Sequence, residues 1–172
     1  MIHAYLIAAV TADGFIARDE KHASFGWNSK EDKKRFIELT RRAGVVVMGS
    51  TTFATIPGLL KERTTIVYSR SKTFEGAETT QKTPLELLKE LEGRGFKEVA
   101  ICGGSKIYTM FMKANVIERV FLTIEPLMFG KGITLFNEEL QHKLILVSAS
   151  QGENGALLLE YKVDYSGTMK MN

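Results

Sequence analysis

Ile2-His3-Ala4-Tyr5-Leu6-Ile7-Ala8-Ala9-Val10 is a nearly continuous apolar run containing β-branched residues. A strand with one wet face alternates polar and apolar side chains. This run does not alternate, so it predicts a central strand buried on both faces. It ends at Ala12-Asp13-Gly14, and from there to Trp27 the chain is polar and broken by glycine. That pattern predicts a long loop leaving the carboxyl end of the strand, where α/β folds place their sites.

Further runs of the same kind lie downstream. Gly44-Val45-Val46-Val47-Met48, Thr64 to Tyr68 and Val99-Ala100-Ile101-Cys102 predict three more buried strands. Helices are expected between them. Ser29 is placed to cap one that carries Asp32, Phe36, Leu39 and Thr40 on a single inward face. Thr83 with Pro84 in the first turn opens another, with Leu85, Leu87, Leu88 and Leu91 apolar and a stop at Gly93 and Gly95. A further helix begins near Gly104 and carries Ile107, Tyr108 and Phe111. In the last third, Val116 to Glu125, Lys143 to Ser150 and Ala156 to Val163 are strand-like, and Gly152-Glu153-Asn154-Gly155 connects the last two as a hairpin. The expected fold is α/β: a mainly parallel central sheet with helices on both faces, closed by an antiparallel C-terminal hairpin. One domain is expected over 1–164, with a loose tail over 165–172.

Composition agrees. The 172 residues suit a single core, and 44% apolar with 25% charged residues are values of an ordinary globular chain. The net charge of +3 comes from cations scattered among acids, which argues against nucleic acid as a partner. The lone Cys102 suits a reducing compartment. The start MIHAYLIAAVTADG lacks a basic leader segment, and no apolar run reaches the roughly 18 residues of a membrane span. A cytoplasmic enzyme is expected, with no membrane partner and no metal.

Gly103-Gly104-Ser105 follows a buried strand and opens a helix, so backbone N–H groups and the positive helix end can approach an anion. A tight turn alone would also demand glycine. Met48-Gly49-Ser50-Thr51-Thr52 has the same form, and two such junctions in one sheet suggest a dinucleotide gripped at both ends. The Rossmann glycine fingerprint is absent. Arg70, Lys72 and Lys106 sit just after strand ends, where a 2′-phosphate could meet them, although each also reads as a solvated cation. Asp32, on an inward face beside apolar groups, needs a partner or a helix start to hold its charge.

These residues together resemble the dihydrofolate reductase family: Trp27-Asn28 followed by Asp32 and Phe36, then Val47-Met48-Gly49 with Thr52-Phe53 and Ile56-Pro57. Leu60, Arg63 and the strand Thr65 to Ser69 continue the match, as do Ile101-Cys102-Gly103-Gly104 with Ile107-Tyr108 and Phe111, then Leu122-Thr123. The resemblance implies that family's three-layer sandwich and an NADPH-dependent reduction of dihydrofolate. Asp32 would accept hydrogen bonds from the pteridine N3 and 2-amino group, supported by Thr123 directly or through water, and polarisation would favour protonation at N5. Hydride would pass to C6. Tyr108 and Trp27 would shape the closed pocket. Ile7, Ala9, Phe36, Ile56 and Leu60 would sandwich the rings, Cys102 would read the pteridine edge through its carbonyl, and Arg63 would hold the glutamate carboxylate. The resemblance assigns the cofactor to Ala8, Ile16, Gly49, Ser50, Thr51, Thr52, Gly103, Gly104, Ser105, Lys106, Ile107 and Tyr108, with Ser69 and Arg70 at the adenosine phosphate. Two positions depart from the family: Ser50 stands where a basic residue commonly follows Met-Gly, and Ser105 replaces the third glycine of the turn.

Ala9 to Ala17, and Pro126 with Gly130-Lys131-Gly132 and Leu135-Phe136, also resemble the reductase domain of riboflavin biosynthesis. That likeness implies the same fold and cofactor with a ribosylaminopyrimidine phosphate as substrate. The closing strands leave monomer and homodimer equally open.

Overall fold

β1 (His3–Thr11) lies inside an eight-stranded sheet, flanked in parallel by β6 (Glu98–Ile101) and β7 (Ile117–Glu125). The sheet continues outward from β6 through β3 (Val45–Gly49) and β4 (Thr64–Tyr68) to β5 (Glu78–Thr80), all parallel. On the other side, β10 (Leu157–Asp164) and β9 (Lys143–Gln151) follow β7 antiparallel and form the expected hairpin. A separate ribbon pairs β2 (Phe15–Ala17) with β8 (Ile133–Thr134), inside and beyond the segments the sequence left as loop. The computed structural model describes residues 1–58 and 60–166.

Both faces of β1 are covered, as its unbroken apolar run requires. Ala4, Leu6 and Ala8 face one core, shared with α3 (Pro84–Gly93) and α4 (Ser105–Lys113) through Leu87, Leu91, Ile107 and Phe111. Tyr5 and Ile7 face the opposite core, shared with α1 (Lys30–Ala43) through Leu39 and Ala43 and flanked by Phe53 of α2 (Ser50–Thr55). Helix, sheet, helix is the three-layer sandwich expected.

Local chemistry sets the helix limits. Ser29 Oγ accepts from the Asp32 N–H at the start of α1, and Gly44, at φ 70°, ends it. Gly44 is thus the cap of α1, and β3 begins one residue later. Thr83 and Glu86 form a reciprocal capping box on α3. Leu85, named with the apolar residues of that helix, is exposed because it lies off the buried Leu87, Leu88 and Leu91 stripe. Of the expected tail, Tyr165 is pinned by donating to the Ile117 carbonyl at 2.6 Å, and 167–172 fall outside the described residues.

Candidate active site

A cavity of about 1230 Å³ opens at the carboxyl ends of β1, β3, β4, β5 and β6. Parallel strands ending together, each followed by a turn, leave such a crevice above the sheet. Its floor is Ile7, Ala8 and Ala9 of β1. One wall is the turn after β3, Gly49 to Thr52, and another is the turn after β6, Cys102 to Ile107.

The two turns touch. Gly49 N–H donates to the Gly103 carbonyl at 2.8 Å. Gly103 has φ 112°, and a Cβ there would stand 3.1 Å from the Tyr108 hydroxyl. A Cβ on Gly104 would stand 3.0 Å from Thr52 Oγ1. Glycine is therefore required for the turns to close on each other. A helix start leaves N–H groups without intrahelical partners; at α4 the Ile107 N–H is already taken by the Gly104 carbonyl at 2.9 Å, and the Ser105 hydroxyl in the same turn is buried without a hydrogen-bond partner. Ser69, Arg70 and Lys72 line the far end of the cavity, and Lys106 also lines it. A glycine cradle, an unpartnered hydroxyl and nearby cations fit the diphosphate and 2′-phosphate of NADPH. Ile16 lines the same cavity.

At the other end stands Asp32, buried at 5% exposure in the first turn of α1. Its carboxylate accepts from the Asn28 side-chain amide. Because a carboxylate only accepts, the amide must present its NH2 there, which leaves Asn28 Oδ1 buried without a partner. Arg35, one turn further along α1, adds a half-buried positive charge toward Asp32. Burial holds the Arg35 guanidinium pKa below its usual value, and Asp32 and Glu160 oppose that shift. Its Nη2 donates to the Leu159 carbonyl at 2.7 Å, and its guanidinium carbon lies over the Phe121 ring, 5.1 Å from the ring centre. Phe36 and Ile56 line the cavity beside Asp32, with Phe25 packed edge-on to Phe36.

Tyr108 is buried beneath Gly103, and its hydroxyl donates to the Ile7 carbonyl at 2.6 Å. Burial pushes its pKa well above the usual phenol value, so it acts as a neutral prop. Cys102 lines the cavity, and burial pushes its thiol, which donates to the Ala100 carbonyl, up to about 12.

Four expected residues stand outside the cavity lining. The 3₁₀ turn Ser24–Gly26 brings Phe25 inward, and Trp27 packs on His22 and Phe129 instead. Arg63 donates from Nη1 to Thr40 Oγ1 at 2.8 Å and from Nε to the Lys61 carbonyl at 2.9 Å. Leu60 packs against the core on the α1 side. Thr123 is buried within β7 and makes no hydrogen bond to Asp32 among the described residues, the position being served by Asn28. Sequence reasoning missed Arg35 and the role of Asn28. The Trp-Asn step four residues before Asp32 was a signal for the second, since Asn28 and Asp32 bracket the helix start.

Comparison with known proteins gives consistent findings. A family model for dihydrofolate reductase matches residues 3–157. The uncharacterized protein YwjB of Bacillus subtilis (strain 168) is 25% identical over 174 residues, 91% of this chain and 95% of that protein. Among solved structures, a candidate riboflavin biosynthesis protein from Shewanella sp. PV-4 aligns with TM-score 0.81 at 18% identity, over 95% of this chain and 99% of that one. A dihydrofolate reductase from Enterococcus faecalis, complexed with NADP(H), aligns with TM-score 0.73 at 24% identity, over 94% of each chain.

Proposed function

Because this chain belongs to the dihydrofolate reductase family, we propose that it is an NADPH-dependent reductase that converts dihydrofolate to tetrahydrofolate. The observation that carries the proposal is a buried carboxylate, Asp32, facing the same cavity as two interlocked glycine turns. NADPH, when bound, supplies the hydride.

The turns after β3 and β6 hold the diphosphate through backbone N–H groups and the Ser50, Thr51, Thr52 and Ser105 hydroxyls. Ser69, Arg70, Lys72 and Lys106 meet the 2′-phosphate, offsetting the missing cation at Ser50. Asp32 accepts the donor edge of an aminopyrimidinone ring, its N3–H and 2-amino group. The carboxylate draws positive charge onto that ring and favours its protonation at N5. Asn28 fixes the carboxylate plane, and Tyr108 fixes the floor by tying α4 to Ile7. Phe25, Phe36 and Ile56 exclude water from the ring.

A second reading has a specific observation in its favour. Arg63, the expected clamp for a glutamate tail, is engaged by Thr40 and Lys61. A ribosylaminopyrimidine phosphate has no such tail, and the similar Shewanella protein is described with riboflavin biosynthesis. Loss of NADPH absorbance, followed in parallel with dihydrofolate and with the ribosylaminopyrimidine phosphate, separates the two. Turnover with dihydrofolate is expected. Turnover with the pyrimidine alone would reject the folate assignment, and turnover with neither would reject both.

A further inference from the structure

Ser29-Lys30-Glu31-Asp32 has the form of a capping box, a hydroxyl at the helix start with an acid three residues on. α3 shows the box complete. One carboxylate oxygen of Glu86 accepts from the Thr83 N–H at 2.9 Å and from the Thr83 hydroxyl at 2.8 Å, while the Glu86 N–H donates back to Thr83 Oγ1 at 3.4 Å. α1 repeats the three bonds with one partner exchanged. The Ser29 N–H and hydroxyl donate to a single oxygen at 2.7 and 2.8 Å, and the Asp32 N–H donates to Ser29 Oγ at 3.2 Å, but that single oxygen belongs to Glu125 of β7.

Glu125 is 2% exposed, and a carboxylate persists at such depth only where donors satisfy it. Side chains alternate along β7, which puts Phe121, Thr123 and Glu125 on one face. α1 packs on that face, with Arg35 over Phe121 and Ser29 against Glu125. Asp32 is left out of the box. Among the described residues the hydrogen bond to its carboxylate comes from Asn28, and Asp32 lines the cavity.

We propose that Glu125 is a positioning residue: it occupies the Ser29 N–H, so the Asp32 carboxylate cannot fold back on its own helix start and stays turned to the cavity. Two acids compete for one N–H, and the one fixed on the strand holds it. The proposal rests on reading Asp32 as the group that holds the substrate ring. Without Glu125 the box would close on Asp32, as it closes on Glu86 in α3, and the ring would lose its acceptor.

Steady-state turnover and NADPH binding of Glu125→Ala test this, with amide hydrogen exchange at Ser29 as a readout that needs no substrate. kcat/KM should fall roughly 10-fold or more, the worth of one hydrogen bond to a charge, while the NADPH dissociation constant stays within about threefold. In an Asp32→Asn background the same change should cost less than about twofold, because it acts through Asp32. Glu125→Gln, whose amide oxygen accepts the same two bonds, should recover most of the loss. The Ser29 amide should stay protected in Glu125→Ala, held there by Asp32, and exchange freely in Glu125→Ala/Asp32→Ala. In Asp32→Ala alone it should be as protected as in the unmodified protein, a measurement free of any folding defect from the loss of Glu125. An equal loss of turnover in both backgrounds, or a Glu125→Gln variant as impaired as Glu125→Ala, would overturn the proposal. Free exchange of Ser29 in either single alanine variant would overturn it equally. Absence of turnover in the unmodified protein would reject the reductase reading, and the Ser29 exchange would still decide where Asp32 turns.

Discussion

Asp32 is held by three independent local features: the helix start, the Asn28 amide and the Arg35 charge. A hydrogen bond to a charged group is worth about 1.5–3 kcal/mol. Asn28→Leu should therefore lower kcat/KM roughly 10- to 150-fold, with the melting temperature little changed, as steady-state assay and thermal unfolding would show. An unchanged kcat/KM would remove Asn28 from the site. Cys102 gives a sharper contrast. With its thiol pKa pushed up to about 12 by burial, it should react with a disulfide reagent at neutral pH far more slowly in the native protein than in urea. Equal rates would contradict the burial. At this scale the sequence revealed residue types but not directions. Asp32 was legible because its helix periodicity and cap set its face. Arg63 was not, because Thr40 competes for its fork across two elements that a linear reading cannot bring together.

Elements whose limits are written in side chains were legible, and those made by pairing were not. Ser29 and Thr83 announce where α1 and α3 begin, whereas Gly44, read with the strand that follows it, ends α1. β5 is three polar or small residues, Glu78, Thr79 and Thr80, and exists because β4 offers it a free edge. β2 and β8 likewise depend on each other across more than a hundred residues of sequence. The start of α1 has an anchor that no periodicity reveals: buried Glu125, at the end of β7, accepts from both the Ser29 N–H and hydroxyl, at 2.7 and 2.8 Å. Ser29→Ala removes a cap worth about 0.5–2 kcal/mol and leaves Glu125 one donor short. Urea unfolding should show a loss of about 1–3 kcal/mol, and Ser29→Thr should recover most of it. No loss would show that α1 is positioned by its apolar face alone.

The whole molecule is a mainly parallel sheet whose carboxyl ends border the cavity and whose two cores hold those ends in register. Phe111 is fully buried in the core shared by β1, α3 and α4, so Phe111→Ala should cost about 3–5 kcal/mol of stability by urea unfolding. A cost under about 1 kcal/mol would mean that core is loosely packed. The layered architecture was legible because double-sided burial writes continuous apolar strands. The ribbon that borders the cavity was not, since it is held by a polar clamp. Asp13 accepts from the Thr11 hydroxyl and from the Phe129 and Gly130 N–H groups, joining the turn after β1 to the segment before β8. The Thr11 hydroxyl first, then the two N–H groups, hold the Asp13 carboxyl below its usual value. A depressed folded value means the clamp stabilises the protein fully above the unfolded value near 4, and the gain disappears as pH falls through the lower folded value. Asp13→Asn should flatten part of the fall in melting temperature on acidification below about pH 4, and an identical profile would show that other carboxylates set it.

One buried carboxylate, Asp32, shares a cavity with the two glycine turns proposed to hold the cofactor. The most direct test is NADPH-linked turnover of Asp32→Asn beside the unmodified protein, with NADPH binding measured on both. Turnover should fall by about 10²-fold or more, in the range of general acid–base and charge-stabilising groups, while the NADPH dissociation constant stays within about threefold, a difference under 1 kcal/mol. Undiminished turnover in Asp32→Asn would contradict the account.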